Sequence, residues 1–254
     1  MSTLTRISTD DPADCLADVV FVHGLDGDGR STWHPKGEPD KFWPLWLAED
    51  MPRTAVWSVD YEASSIAWKG ATMPLVDRAT NLLDLLSLDG IGERPVVFVC
   101  HSLGGLVVKQ MMRSGADFGN ALYARMAANT KAIVFISTPH SGANIANWIS
   151  HLGALLRTTV TLDELKAHDP ALRNLNTWYR NRNAEPAVRT TVYCEKQALA
   201  GILVVDETSA DPGIPGVVPV PLDEDHASIC KPASRSAQLY KGVKQAIKVA
   251  LANP

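Results

Sequence analysis

The sequence VVFVCHSLGG, residues 96–105, decides the fold, because in it an apolar run ends abruptly at a polar triplet followed by two glycines. The run Val96–Val99 predicts a buried strand, and the apolar residues that follow Gly105 predict a buried helix. A strand that turns sharply into a helix through Ser-x-Gly lifts the serine hydroxyl above the edge of a sheet. The stretch therefore identifies Ser102 as a candidate nucleophile.

The residue two positions before Ser102 departs from the usual G-x-S-x-G pattern, because Cys100 stands where the first glycine is expected. Cysteine is small, so the tight turn is still allowed, although the five-residue signal is weaker. The helix after the turn would aim its N-terminal N–H groups, with their positive partial charge, at Ser102. Such a helix end suits a developing oxyanion.

Length and charge limit the class of protein. The chain has 254 residues, enough for one large α/β domain, and its formal net charge of −4 argues against a nucleic-acid binder. Its apolar stretches are strand-sized, and its first residues lack the apolar core of a signal peptide. We therefore expect a cytoplasmic protein without a transmembrane anchor.

Neither the cysteines nor the Gly-rich loop at residues 26–33 indicates a cofactor. Arg30 and Ser31 stand where a calcium loop needs an acid or amide and a glycine, and no phosphate-binding lysine follows the glycines. We therefore expect no metal and no cofactor, and interpret the loop as the source of a backbone N–H for the reaction centre. Free thiols fit best at the four cysteines, Cys15, Cys100, Cys194 and Cys230.

Strands and helices alternate along most of the chain, which predicts a mostly parallel central sheet with helices on both faces. Residues 1 to about 17 are interpreted as a polar lead-in, and residues 202–205 as a shorter apolar run. Helices are predicted from Phe42, over Leu75–Leu86 and after Ser234. Further strands are predicted at residues 18–25, 54–61, 131–136 and 188–194.

Residues 144–187 interrupt the alternation with two amphipathic stripes, separated at Asp169-Pro170. Two helices inserted here would form a small helical cap over the pocket, whereas ordinary helices that cover the sheet are the alternative. We predict a single domain over residues 1–254 with this cap inserted at about 144–187. The stripes consist of Trp148, Ile149, Leu152, Leu155 and Leu156, and of Leu172, Leu175 and Trp178.

A serine nucleophile needs a base that accepts its proton and a carboxylate that orients the base. In this kind of fold the chain order is serine, acid, histidine. His226 lies on a loop after the last predicted strand, downstream of every plausible acid, and is therefore the predicted general base. His101 is adjacent to Ser102 but would point away from it.

The acid belongs on the loop after the strand that follows the cap. Glu195 stands directly at the end of the predicted strand 188–194 and is the first choice. Asp206 and Glu207, which follow residues 202–205, are the alternatives. Asp223 and Asp225 lie too close to His226 in sequence for the usual geometry.

Two backbone N–H groups should stabilise the oxyanion. One belongs to Leu103, just after the nucleophile, and the other to Leu25, which follows His23-Gly24. Losing one such donor typically costs about 3–4 kcal/mol of barrier. His23 itself is predicted to have a structural role.

Four motifs, at residues 20–25, 101–109, 137–142 and 225–232, together resemble the α/β-hydrolase superfamily. Within it they are most similar to the branch of serine-active-site-containing proteins and GPI inositol-deacylases. Members of that branch often lack the first elbow glycine and carry a glutamate at the end of the strand after the cap, which supports Glu195. The resemblance implies the α/β-hydrolase fold and lipid-ester or acyl-chain chemistry.

From the residues and the resemblance we expect a serine esterase or lipase that acts through an acyl-enzyme on Ser102. Its substrate would be a small-molecule ester or lipid, and transient contact with a membrane surface is compatible with the latter. An acyltransferase that uses the same triad is the first alternative. A catalytically silent binding protein of the same fold is the second, because the fold hosts many activities.

Overall fold

A single sheet organises the residues that the computed structural model describes, namely 2–63, 73–140, 162–183 and 188–252, with the backbone alone at residues 12 and 162–169. Its strand order is β1-β3-β2-β4-β5-β6-β7. β1 runs antiparallel to β3, and every other neighbouring pair is parallel, which confirms the predicted mostly parallel sheet. The strands are β1 (Thr3–Arg6), β2 (Ala17–Val22), β3 (Thr54–Asp60), β4 (Val96–His101), β5 (Thr130–Ile136), β6 (Arg189–Glu195) and β7 (Val220–Leu222).

Helices cover both faces of this sheet. Successive strand residues point to opposite faces, so Val96 and Phe98 pack with α2 and α3, whereas Val97 and Val99 pack with α1 and α7. Burial on both faces explains why the central strands are continuous apolar runs. The helices are α1 (Trp43–Asp50), α2 (Leu75–Leu88), α3 (Leu103–Asp117), α4 (Ala121–Asn129), α5 (Leu162–Arg182), α6 (Glu207–Ala210) and α7 (Gln238–Ala252).

The N-terminal residues differ from the sequence interpretation. The polar lead-in contains the edge strand β1, whose residues alternate between exposed and half buried, so that it carries no apolar run. The short apolar run at residues 202–205 follows a turn that is held by a bridge between Leu199 and Ile202. Val204 and Val205 are buried, which accounts for their apolar character.

The predicted cap is described only in its second half, since Trp148, Leu152 and the rest of the first stripe lie outside the described residues. α5 continues through Pro170, where the sequence predicted a break. Leu172, Leu175 and Tyr179 are buried, and α5 packs against α3. This burial offsets the roughly 3 kcal/mol that a proline costs inside a helix. The described half thus covers the body of the domain, and a cap over the pocket remains a prediction.

Two further expectations from the sequence concern free cysteines and membrane-spanning helices. All four cysteines are free and buried, as the sequence predicted. No helix in the described part of the chain is long and apolar enough to span a membrane.

Candidate active site

Ser102 occupies the turn between β4 and α3. Its φ of 51° lies in the left-handed region, which is strained for a residue with a side chain. The Ser102 N–H donates to the carbonyl of Ile136 at 2.9 Å, and the Thr138 hydroxyl donates to the Ser102 carbonyl at 3.1 Å. Both ends of the strained residue are therefore held by the strand end and loop of β5.

The glycines around Ser102 are required by close backbone approach. A Cβ on Gly104 would lie 2.3 Å from the Val22 carbonyl oxygen, and one on Gly24 would lie 2.7 Å from the Ser102 Cβ. No side chain fits at such distances without movement of the backbone. The loop after β2 is thus pressed directly against the nucleophile, whereas the wholly buried Cys100 is accommodated at the start of the turn.

The structure brings Ser102, His226 and Glu195 together from three separate parts of the chain. His226 Nε2 lies 3.0 Å from the Ser102 Oγ, and His226 Nδ1 lies 3.1 Å from the Glu195 Oε1. All three side chains are buried. In this arrangement the serine hydroxyl donates to Nε2 and the Nδ1–H donates to the carboxylate, so the imidazole is set to accept the serine proton.

Glu195 is the last residue of β6, and its carboxylate is held at one oxygen. Oε1 accepts the Val205 N–H at 2.7 Å in addition to the His226 Nδ1–H. Oε2 is buried and has no hydrogen-bond partner among the residues that the structure describes. The short apolar segment at residues 202–205 therefore helps to fix the carboxylate that faces His226.

The alternative acids lie elsewhere. The Asp206 side chain accepts the Ser209 N–H at 2.7 Å and so caps α6, and Glu207 pairs with Lys196 on the surface. Asp225 accepts the backbone N–H groups of the two residues after His226, at 2.8 Å each. It therefore shapes the turn that presents the histidine.

The two predicted oxyanion donors are unused in the described part of the chain. Leu103 begins α3, so its N–H has no acceptor within the helix. The Leu25 N–H likewise donates to no other described group. Both are therefore free to donate to an oxygen that becomes negative during a reaction.

His101 is a site residue whose role sequence reasoning did not identify. Its Nε2 lies 2.9 Å from the carbonyl oxygen of His226. Burial holds its pKa well below the usual range, so Nε2 donates as a neutral imidazole. His101 thus fixes the backbone of the residue that carries the general base, a contact across 125 positions that no local pattern reveals.

A cleft of about 210 Å³ opens beside these groups, between the loop after β2 and the His226 loop. Within the described residues, no three histidine, cysteine or acidic side chains lie close enough together to hold a metal ion. The cleft is lined by Leu25, Asp26, His101, Leu199, His226 and Lys231, among others.

The fold and this geometry agree with comparisons to known proteins. A model of the alpha/beta hydrolase family matches residues 19–246, so the chain belongs to that family. Protein SERAC1 of Danio rerio is 35% identical over 261 residues, which cover 92% of this chain and 39% of the relative. Protein SERAC1 of Homo sapiens is 33% identical over 261 residues, which cover 93% of this chain and 39% of the relative. These matches confirm the branch predicted from the motifs.

The chain spans only about two fifths of the length of these relatives. A solved structure from a study of carboxylesterases of the thaumarchaeon Nitrososphaera gargenis has a similar fold. It has a TM-score of 0.63 and 12% identity, and the match covers 100% of this chain and 96% of that chain. At this identity the likeness shows the shared fold.

Proposed function

We propose that this chain is a serine carboxylic ester hydrolase that forms an acyl-enzyme on Ser102. The observation that carries the proposal is the line of contacts from Ser102 Oγ through His226 to Glu195, at 3.0 and 3.1 Å. A nucleophile, a base within hydrogen-bond reach and an acid that orients the base together form the arrangement of acyl-transfer enzymes.

Each group has one task in this reaction. His226 accepts the Ser102 hydroxyl proton as Oγ attacks the ester carbonyl, and Glu195 stabilises the imidazolium that results. The Leu25 and Leu103 N–H groups donate to the oxyanion of the tetrahedral intermediate. His226 then gives its proton to the leaving alcohol, and the same steps with water in place of Ser102 release the carboxylic acid.

Esters are chosen over other acyl compounds because of the family of this chain and the solved structures that share its fold. The site meets the needs of an ester, since the leaving alcohol takes one proton from His226. Membership of the hydrolase family and the carboxylesterases of the same fold support this choice. We further propose that residues 144–187 select the acyl group and that lipid esters are among the substrates.

A p-nitrophenyl ester series of increasing acyl length tests the proposal. Wild-type protein is expected to turn over at least the short esters, and His226→Gln to lose this activity by orders of magnitude. His34→Gln, a histidine outside the triad, provides the matched control and should retain it. Failure of the purified, folded wild type to release acid from any ester would contradict the proposal.

The acyltransferase alternative differs only in the acceptor of the second step. Product analysis in the presence of an added alcohol such as glycerol separates the two reactions. We expect free acid as the main product. Predominant transfer to the alcohol at low acceptor concentration would favour the transferase.

A further inference from the structure

We propose that His23 is a positioning residue for the oxyanion hole, because its imidazole fixes the Gly24–Leu25 peptide so that the Leu25 N–H faces the reaction centre. The inference rests on the proposed function, since it concerns the donor that this function assigns to Leu25. It goes further by giving the buried histidine before the loop a defined task in the reaction.

The contacts of His23 define which ring nitrogen carries hydrogen. Nε2 lies 3.3 Å from the backbone nitrogen of Tyr61, and Nδ1 lies 2.8 Å from the carbonyl oxygen of Gly24. A backbone N–H can only donate and a carbonyl can only accept. Nδ1–H must therefore be the donor to Gly24. At Nε2 the Tyr61 N–H at 3.3 Å is nearer than the Asp60 carboxylate at 3.5 Å, so we assign Nε2 as an acceptor and the ring as the neutral Nδ1–H tautomer.

The hydrogen bond to the Gly24 carbonyl also fixes the direction of the Leu25 N–H, because the two groups belong to the same peptide. The carbonyl of Gly24 and the N–H of Leu25 belong to one planar trans peptide and point in opposite directions. The Gly24 oxygen is held on one side by the His23 Nδ1–H and by the Gly27 N–H at 3.2 Å. The Leu25 N–H consequently points to the other side, where it meets no acceptor in the described part of the chain.

The peptide lies at the nucleophile. A Cβ on Gly24 would come within 2.7 Å of the Ser102 Cβ and 3.1 Å of the His101 carbonyl oxygen. Gly24 therefore packs directly against the turn between β4 and α3. Between the end of β2 and Arg30 the loop forms no helix or strand that would hold its peptides. Gly24 and Gly27 add backbone freedom, and the His23 Nδ1–H contact at 2.8 Å is shorter than the Gly27 N–H contact at 3.2 Å that shares the Gly24 oxygen.

The surroundings of His23 keep its ring neutral and immobile. The ring is wholly buried and stacks on Tyr61 at 4.3 Å between centroids. Burial lowers the pKa of His23, against the raising effects of its contact with Gly24 and of the nearby Asp60 and Asp28 carboxylates. Asp60 Oδ1 lies 3.5 Å from Nε2 and is the acceptor that a hydrogen on Nε2 would meet.

Two substitutions separate the Nδ1 contact from the rest of the ring. In His23→Asn the amide nitrogen stands at the same distance along the side chain as Nδ1 and can donate to Gly24. In His23→Gln the amide reaches the position of Nε2 and leaves the Gly24 oxygen without this donor. We expect His23→Gln to lower kcat by about 10- to 100-fold with KM within about twofold, because losing an oxyanion donor outright costs about 10²–10³. His23→Asn should recover kcat to within about fivefold of wild type.

The inhibition constant of a transition-state analogue distinguishes a role of His23 in positioning the oxyanion hole from a role in stability alone. A trifluoromethyl ketone forms a tetrahedral adduct with an oxyanion, so its inhibition constant should weaken in His23→Gln in parallel with kcat/KM. Tyr61→Phe is the control, because it removes the 2.7 Å hydrogen bond from the Tyr61 hydroxyl to the His23 carbonyl and leaves Nδ1 untouched. It should lower the melting temperature and leave kcat within about twofold.

A folded His23→Gln variant with wild-type kcat, or equal losses in the Asn and Gln variants, would overturn the inference. Should both variants fail to fold, proton–nitrogen NMR of wild-type protein with labelled histidine decides instead, with His23 assigned through its contacts to the Tyr61 ring. We expect the neutral Nδ1–H tautomer, and an Nε2–H tautomer would contradict the proposal. A wild type without esterase activity would reject the proposed function, while the NMR result would still test the contact with Gly24.

Discussion

Replacement of Glu195 by glutamine is expected to lower kcat by about 10³ while the position of His226 is retained. The Val205 N–H and the His226 Nδ1–H both donate to Glu195 Oε1. In the variant these two donors require the amide oxygen at that place, so the amide nitrogen is directed to the position of Oε2. The histidine therefore keeps its tautomer and loses only the negative charge beside it.

The size of the loss follows from this charge. A carboxylate and an imidazolium about 4 Å apart attract each other by about 4 kcal/mol at an effective dielectric constant of about 20. At about 1.4 kcal/mol per factor of ten, the missing attraction raises the barrier by about three decades. Loss of the correct tautomer as well would cost about 10⁴. Since the Oε2 position has no partner among the described residues, the buried amide nitrogen should also lower the free energy of unfolding by about 1–3 kcal/mol.

Asp206→Asn is the matched control, because it makes the same change of carboxylate to amide on the neighbouring loop. Asparagine caps a helix about as well as aspartate, so the contact with the Ser209 N–H should survive. We expect kcat within about threefold of wild type. The assay is steady-state hydrolysis of p-nitrophenyl acetate, with folding checked by thermal melting. A loss below tenfold in Glu195→Gln, or an equal loss in Asp206→Asn, would refute the assignment of the acid.

Three further predictions concern stability and selectivity. Burial lowers the pKa values of His23, His101 and His140 below the ordinary 6.5, so below that pH the unfolded chain binds more protons than the folded chain. The free energy of unfolding should therefore have its full value above pH 6.5. Below pH 6.5 each of the three histidines should lower it by about 1.4 kcal/mol per pH unit. Urea titrations at several pH values measure this slope, and a flat profile down to pH 5 would contradict it. Gly104→Ala should destabilise the fold by about 3 kcal/mol or more, because its Cβ would meet the Val22 carbonyl oxygen at 2.3 Å. Gly119→Ala is the control, since its Cβ would enter open space and only the φ of 69° should cost about 1–2 kcal/mol. Equal effects in chemical denaturation would count against the close packing of α3 on β2. Polar substitution at Leu152 or Leu156 should depress hydrolysis of long esters selectively, by about fourfold in kcat/KM per buried methylene lost. Equal losses on acetate and longer esters would reject residues 144–187 as the selectivity element.

The sequence predicts those elements whose causes are local. Val96–Val99 and the glycines after Ser102 specify the strand, the turn and the helix within ten residues, and Glu195 follows from its place at the end of β6. The edge strand β1 escapes prediction because Thr3–Arg6 pairs on one side only and needs no apolar run. α5 crosses Pro170 because tertiary burial of Leu172, Leu175 and Tyr179 outweighs the local preference.

The long-range contacts of the site could not be predicted in the same way. Local patterns in the sequence place Ser102 and His226 on their loops. They do not predict that His101, next to Ser102, donates from Nε2 to the carbonyl of His226, 125 positions along the chain. The Val205 N–H reaches Glu195 from a turn whose residues the sequence marks only as a short apolar run. Such contacts depend on where separate loops meet, and a pattern along the chain does not contain that information.

Covalent labelling by a fluorophosphonate tests the central claim most directly. The reagent phosphonylates a serine that an adjacent base has activated, and mass spectrometry of the digested protein locates the adduct. We predict a single adduct on the peptide that contains Ser102, and no adduct in a folded Ser102→Ala variant whose ester turnover has fallen by about four to six decades. Labelling of the folded variant at wild-type rate, or an adduct on a different residue of the wild type, would contradict the assignment of Ser102 as the nucleophile.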